Sequence, residues 1–336
     1  HLSSAGKGNR TLRKVLVTVQ FFIAVFMVIA SMVVSDQLDF LREKDLGYDP
    51  DNMILLQIGE SDFEKRSEAY KNEILQNPSV VAASNSYGVP GILKWIRSMK
   101  IEQEEGMTER SILYLETDYE FCSAYRMEIV KGRNFDRKMG TDSLEAVLIN
   151  QTAALEFGWS ENPIGKRIHY GYGQDGSGGR MLKVIGVVRD FHFHSLHNAI
   201  EPLIMFIQET PGDLFSIRLR AENREETLEL LEQKWLEFGA AIPFRYEYMV
   251  DRLDDSYASD DKTGTIIRLG ALFTIILALM GLLGLSSFVA EQKTKEVGIR
   301  KIHGATVGNI LLYLYRDFVN LFVIAFLISA PIAWWR

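Results

Sequence analysis

The chain has 336 residues, 47% of them hydrophobic and 24% charged, with a net charge of −7 and one cysteine, Cys122. A single cysteine excludes an internal disulfide framework, and an acidic balance with no basic stripe interleaved with aromatics argues against nucleic acid as a partner. The averages hide the distribution, because three apolar stretches are diluted by one long polar segment.

The amino-terminal segment, 1–14, carries Lys7, Arg10, Arg13 and Lys14. The first apolar stretch, 15–34, is long enough to cross the hydrocarbon core as a helix, which satisfies its own backbone groups there. It exceeds a usual signal-peptide core and lacks a small-x-small cleavage site, so it reads as an anchor. Val34, Leu38 and Leu41 at helical spacing extend this helix outward to about residue 44. Leu253 and Tyr257 carry the helix of the second span back to about residue 251, and the two extensions predict a paired stalk.

Residues 35–264 read as a large external domain. Residues 53–58 form a buried strand, 61–76 a charged helix and 80–84 a returning strand; 215–220, 224–238 and 244–249 repeat the pattern, with Leu228, Leu231, Trp235 and Phe238 on one helical stripe. These two units predict a membrane-proximal α/β subdomain assembled from 35–90 and 191–264. The middle, 91–190, has strand patterns at 111–116, 146–150, 167–170 and 182–188 and predicts a β-rich subdomain. The glycine run within 171–180 reads as a flexible hairpin tip.

No motif in this domain carries catalysis. His192, His194 and His197 lack an acidic or cysteine partner in sequence, so a turn that packs Phe191 and Phe193 is preferred to a metal site. Asn162 to Arg167 fails as a phosphate loop, because Arg167 stands where a hydroxyl belongs and Gly158 is misplaced. Asp254-Asp255 and Asp260-Asp261 read as solvated markers of the outer side, and Cys122 has no nucleophile signature. No cofactor or metal is expected.

The second span, 265–290, breaks directly into a cytoplasmic elbow, 291–317, dense in charge. Gly298 and Gly304 are predicted to break this segment, after which Thr306 caps a short helix to Tyr315 with Ile310, Leu314 and Phe318 on one stripe. The third span, 318–336, is near the lower length limit. Lys and Arg flank the inner ends, including Lys293, Lys295, Arg300, Lys301 and Arg316, whereas Asp36, Asp39, Asp251, Asp254, Asp255, Asp260 and Asp261 lie on the other side, so the elbow is inside and the large domain outside.

The run Glu291, Thr294, Glu296, Gly298, Ile299, Arg300, Lys301, Gly304, Ala305 resembles the signature following the second span of FtsX/MacB-like permeases of ABC transporters. Gly132-Arg133-Asn134-Phe135, Val147-Leu148-Ile149-Asn150, Asn162-Pro163-Ile164-Gly165-Lys166, Val184 to His192 and Glu201-Pro202-Leu203 resemble their MacB-like periplasmic core domain, in a Bacteroidota-type chain corresponding to a single permease or the carboxy-terminal repeat of a duplicated one. The resemblance implies an α+β membrane protein with transmembrane helices, a strand-helix-strand subdomain and a β-rich subdomain, cut before a fourth span. It implies a multi-pass protein of the bacterial inner membrane with its large domain in the periplasm. The chain would be non-catalytic, coupling ATP hydrolysis by a separate ABC ATP-binding subunit to the periplasm by mechanotransmission, for efflux or lipoprotein or peptide export. A second permease copy or repeat, the lipid bilayer and a periplasmic partner are the other expected partners. Glu291, Lys293, Thr294, Glu296, Gly298, Arg300, Lys301, Gly304, Ala305, Thr306 and Ile310 are the expected ATPase-coupling residues. A membrane-anchored sensor or regulator of envelope enzymes, and a periplasmic metalloprotein, are the competing readings.

Overall fold

The computed structural model describes residues 5–58, 66–91, 93, 95–171, 178–194, 196, 198–208, 210, 212–239 and 242–334. In chain order the elements begin with α1 (Ala5–Glu43), β1 (Met53–Gln57), α2 (Ser67–Ile74), β2 (Val80–Ser86), β3 (Ile96–Gln103), β4 (Gly106–Thr117), α3 (Phe121–Ala124) and β5 (Ile129–Gly132). They continue with α4 (Asp142–Glu145), β6 (Ala146–Asn150), α5 (Gln151–Glu156), β7 (Arg167–Tyr170), β8 (Arg180–Val188), β9 (Leu203–Ile207) and β10 (Leu214–Leu219). The last are α6 (Arg224–Glu237), β11 (Tyr246–Tyr248), α7 (Met249–Gln292), α8 (Thr294–Ile302) and α9 (Val307–Trp334). Two compact units result: the helical unit of His1–Lys44 with Ala258–Arg336, and the mixed unit Asp45–Tyr257.

In the mixed unit, β11-β1-β10-β2 form an antiparallel sheet, with β1 paired to both β10 and β11. The units β1-α2-β2 and β10-α6-β11 interleave in that order, the split arrangement of a ferredoxin-like layer. Strand alternation assigns the faces. Ile54, Leu56, Phe215 and Ile217 point toward α2 and α6, where Tyr70, Leu231 and Trp235 complete a buried core. Met53 and Leu55 point to the other face and join a second core with Phe121, Tyr125 and Phe191.

The β-rich part closes on itself. Among the described residues six strands form a ring, β4-β3-β7-β8-β6-β9, completed by the parallel pairing of β9 with β4. Met99, Ile101, Ile112, Val147, Ile168, Leu182, Val184 and Ile204 fill its interior. Ala153, Phe157 and Trp159, from α5 and the turn after it, join the same core near the β3–β4 turn, where the Trp159 indole donates to the Glu102 carbonyl at 3.0 Å. The 91–190 stretch supplies five of the six ring strands, while β9 comes from the stretch assigned to the membrane-proximal part. Residues 172–177 of the glycine tip predicted over 171–180 lie outside the described residues, but its flanks, β7 and β8, pair as a hairpin.

Two ion pairs, one on this ring and one beside it, give the mixed unit an acid limit. The Arg133 fork donates to Asp142 at 2.6 and 2.8 Å, and Arg167 donates to Glu102 at 2.8 Å. Burial alone would raise the Asp142 carboxyl, yet Arg133 outweighs it and holds it below its usual range; Arg167 does the same for Glu102. A carboxyl depressed in the fold stabilises above its unfolded value and loses that contribution as pH falls through the folded one. Stability is therefore expected to fall below about pH 4.5. The Arg133→Gln variant should start less stable and lose less between about pH 6 and pH 3, as read by denaturant melts.

The helical unit contains two helical segments long and apolar enough to cross a membrane, Val15–Leu38 and Lys262–Gln292, by length and composition. Glycines on α7 face α1: Gly264 meets Leu38 and Val34, Gly270 meets Met27, and Gly281 meets Gln20. Small residues there allow close backbone approach. Phe21 of α1 packs edge-on against Phe322 of α9, centroids 5.9 Å apart. The described apolar core of α9 is Phe322–Ile332, shorter than the other two. Both predicted helix extensions occur, since α1 reaches Glu43 and α7 begins at Met249. Of the predicted stalk residues, Val34 and Leu38 face α7 at Gly264, whereas Leu253 packs on the second core of the mixed unit beside Gly91. The side chains of Leu41 and Tyr257 lie outside the described residues.

Candidate coupling site

The elbow is built from helix ends. Lys293 alone separates α7 from α8, and helical hydrogen bonds run across it from Lys293 N to Val289 O at 3.0 Å and from Val297 N to Lys293 O at 2.9 Å. Thr294 Oγ1 also donates back to Ala290 O and Glu291 O, each at 2.9 Å. Gly298 lies inside α8 and breaks nothing, contrary to its predicted role, because the flanking residues Thr294 to Ile302 sustain the helix around it. Gly304 does break the chain, with φ of +84°. Gly304 N donates to Lys301 O at 3.2 Å and Ala305 N to Arg300 O at 3.1 Å. These paired bonds around a left-handed residue form a Schellman stop, which glycine adopts without Cβ strain.

Thr306 then starts the next helix as predicted, its Oγ1 accepting from Asn309 N at 3.4 Å. That helix does not stop at Tyr315. It continues as α9 to Trp334, because nothing between Tyr315 and the apolar stretch disfavours helix. The predicted separate docking helix and third span are thus one element, and the only free-standing short helix of the elbow is α8. Leu314 and Phe318 of the predicted stripe have side chains outside the described residues.

Glu291, Thr294, Glu296, Gly298, Arg300, Lys301, Gly304 and Thr306 are exposed, whereas Lys293, Ala305 and Ile310 are half-buried. Arg300 and Glu296 sit 3.7 Å apart one turn along α8. The charge-based reading missed Ile299 and Ile302, which are 59% and 85% exposed on the same short helix. Their signal was available as two apolar residues three apart among charges, flanking Arg300 and Lys301.

A second constellation lies where the chain enters and leaves the mixed unit. After α1, Gly47 (φ +79°) passes so close to Asp190 and Phe191 that a Cβ would stand 2.7 Å from Phe191 Cα. Leu46 O accepts from His192 N at 2.8 Å, and Tyr48 packs edge-on against Tyr125 and Phe191. On the return, Met249 is buried in this same core and Leu253 packs on it. Beside them the buried Arg218 donates to Ala124 O at 2.7 Å, Asp51 O at 2.7 Å and Asp49 O, and stands 3.2 Å from the Asp49 carboxylate. Sequence reasoning gave neither Gly47 nor Arg218 a role, reading Arg218 only as part of the alternating strand 215–220.

Phe191 and Phe193 are buried against each other, the packing turn expected for the histidine segment. Among the described residues no three His, Cys, Asp or Glu side chains converge to hold a metal; His197 lies outside them. Burial pushes the Cys122 thiol up to about 12, which keeps it protonated.

Residues 19–232 match the family model of the MacB-like periplasmic core domain, and residues 268–335 match that of the FtsX-like permease C-terminal region. The chain belongs to the FtsX/MacB-like family of ABC transporter permeases. Among solved structures it is similar to the periplasmic region of MacB from Actinobacillus actinomycetemcomitans, at 14% identity over 65% of this chain and 97% of that one, TM-score 0.43. It is also similar to the extracellular domain of the noncanonic ABC-type transporter YknZ from Gram-positive bacteria, at 15% identity over 58% and 100%, TM-score 0.40. A domain of a putative permease protein from Porphyromonas gingivalis aligns at 15% identity over 60% and 92%, TM-score 0.40. A comparison with curated proteins finds no match.

Proposed function

We propose that this chain is the mechanical membrane subunit of an ABC transporter of the inner membrane, non-catalytic itself, with its mixed unit in the periplasm. A separate ATP-binding subunit docks on the elbow, and the movement passes along α7 and α1 into the mixed unit. The carrying observation is that the segment after α1 and the start of α7 both anchor in one buried core, through Tyr48 on one side and Met249 and Leu253 on the other. Close-packed interiors transmit displacement instead of absorbing it. The work delivered serves efflux or the export of peptide or lipoprotein cargo, and a second permease copy or repeat completes the assembly.

On the inner side, α8 supplies what a docking groove needs: the exposed apolar Ile299 and Ile302 with Arg300 and Lys301 beside them, held at a fixed angle by the Gly304 stop. Charge-assisted hydrogen bonds from such a pair are worth about 1.5–3 kcal/mol each before solvent screening. Gly304→Val, or Arg300→Glu with Lys301→Glu, is expected to reduce capture of the ATP-binding subunit while the mixed unit stays folded. Co-purification run beside protease protection of the mixed unit checks this. Unchanged capture and transport in both variants would reduce the elbow to a topology signal.

A further inference from the structure

The strand ring has two ends with different chemistry. One is filled by α5 and the turn after it. At the other, the inward-facing positions of β3, β4, β7 and β9 change from aliphatic to Arg97, Tyr114, Tyr170 and Phe206, each two positions along its strand from a core residue, with Glu116 two positions beyond Tyr114. Tyr114 stacks on buried Phe206 with centroids 5.8 Å apart and planes 10° apart, and Tyr170 packs on the same ring at 4.6 Å. The Arg97 guanidinium lies over this floor, 5.2 Å from the Tyr170 centroid and 5.9 Å from that of Tyr114. Its Nη1 donates to the Tyr170 hydroxyl at 2.8 Å, and that hydroxyl donates to Glu116 at 3.2 Å. Burial pushes the Tyr170 hydroxyl up to about 12, so it keeps its proton for Glu116.

Arg97 is exposed, and its fork is oriented by two rings and a hydroxyl. A guanidinium fixed in this way loses less freedom on binding an anion than a surface lysine would. Next to it Trp95 and Ile96 are 54% and 62% exposed. The backbone of Trp95 is pinned, since its carbonyl accepts from Tyr114 N at 3.0 Å. Arginine, tryptophan and tyrosine at a fixed, partly wet surface are the composition of a binding hot spot.

We propose that this mouth of the ring is a recognition surface for a carboxylate-bearing segment of a partner polypeptide, with Arg97 as the anchor and Trp95 and Ile96 as its apolar shoulder. Glu116 selects the class of anion. Its charge, held beside the fork by Tyr170, opposes a phosphate dianion more strongly than a single carboxylate, which favours an acidic peptide over a phosphorylated ligand or a lipid headgroup. The inference uses the mixed unit alone and stands apart from ATPase coupling at the elbow.

The test uses the full chain in phosphatidylcholine nanodiscs and a fluorescent peptide, acetyl-Leu-Glu-Ala-Leu-amide, followed by polarisation. Saturable binding is expected with Kd at or below about 1 mM. Arg97→Gln should weaken it by about tenfold or more, and Arg97→Lys by several-fold, because a point charge replaces a fork. Trp95→Ala, which leaves the stack under Arg97 untouched, should also weaken it, and the Leu-Gln-Ala-Leu peptide should bind no better to wild type than the acidic peptide binds to Arg97→Gln. Absence of saturable binding, or equal affinity in Arg97→Gln and wild type, overturns the proposal. So does displacement of the peptide when phosphatidylglycerol is added to the discs, which would make the surface one for anionic lipid.

Discussion

Replacing Arg218 by methionine is expected to remove about 3–5 kcal/mol from the stability of the mixed unit, the cost of breaking a buried charged pair from one side. The Arg218 side chain is 3% exposed and Asp49 is 28% exposed, so water restores little on the arginine side. Its loss strands the carbonyls of Ala124, Asp51 and Asp49 together. Asp49 keeps one partner, Arg126 at 2.7 Å, which places the expected loss toward the lower end. Even so, about 3 kcal/mol is a large part of the 5–15 kcal/mol typical of a domain. Denaturant melts should show a lower midpoint with an unchanged slope, and Asp49→Asn should cost less, since Arg218 keeps its backbone acceptors. A midpoint within error of wild type would show that the guanidinium reaches water in solution.

Why sequence reading missed this arginine is instructive. In Phe215-Ser216-Ile217-Arg218-Leu219 the alternation reads as one apolar and one solvated face, and the apolar face was read correctly. The polar positions are buried too, because a second layer covers them: Ser216 hydrogen-bonds Tyr125 Oη at 2.7 Å, and Arg218 reaches the end of α3. Alternation cannot report a sheet covered on both sides by different chemistry. β6 and β7 were legible at their observed limits, β7 because Gly165 and Gly171 lie just outside it and β6 because Asn150 caps the helix that follows it. β9 was not read as a strand, since all five of its residues are buried and give no period. At the elbow Gly304 was legible as a stop, while Gly298 was misread; a lone glycine costs a helix only about 1 kcal/mol, which its neighbours can outweigh.

Gly47→Val is expected to destabilise the entry from α1 into the mixed unit by about 2–4 kcal/mol, from two separate causes. The first is conformational: φ of +79° lies in the left-handed region, which a β-branched residue resists. The second is steric: the new Cβ would meet Asp190 O and stand 2.7 and 2.8 Å from Phe191 Cα and Cβ, where backbone cannot yield as a side-chain tip can. The segment must lift away, which removes the bond from His192 N to Leu46 O and the edge contact of Tyr48 with Phe191. Gly91→Ala is the comparison, because its φ of +89° is equally left-handed but its Cβ would meet side-chain ends alone, the flexible Leu253 Cδ2 at 3.2 Å and the Tyr48 hydroxyl at an ordinary 4.0 Å. Hydrogen exchange on the full chain should rise at His192 in Gly47→Val and stay near wild type there in Gly91→Ala. If the Gly47 variant binds the ATP-binding subunit normally yet fails to transport, the break lies between α1 and the core, as the proposed mechanical coupling demands; full transport despite fast exchange at His192 would place the proposed path through α7 alone.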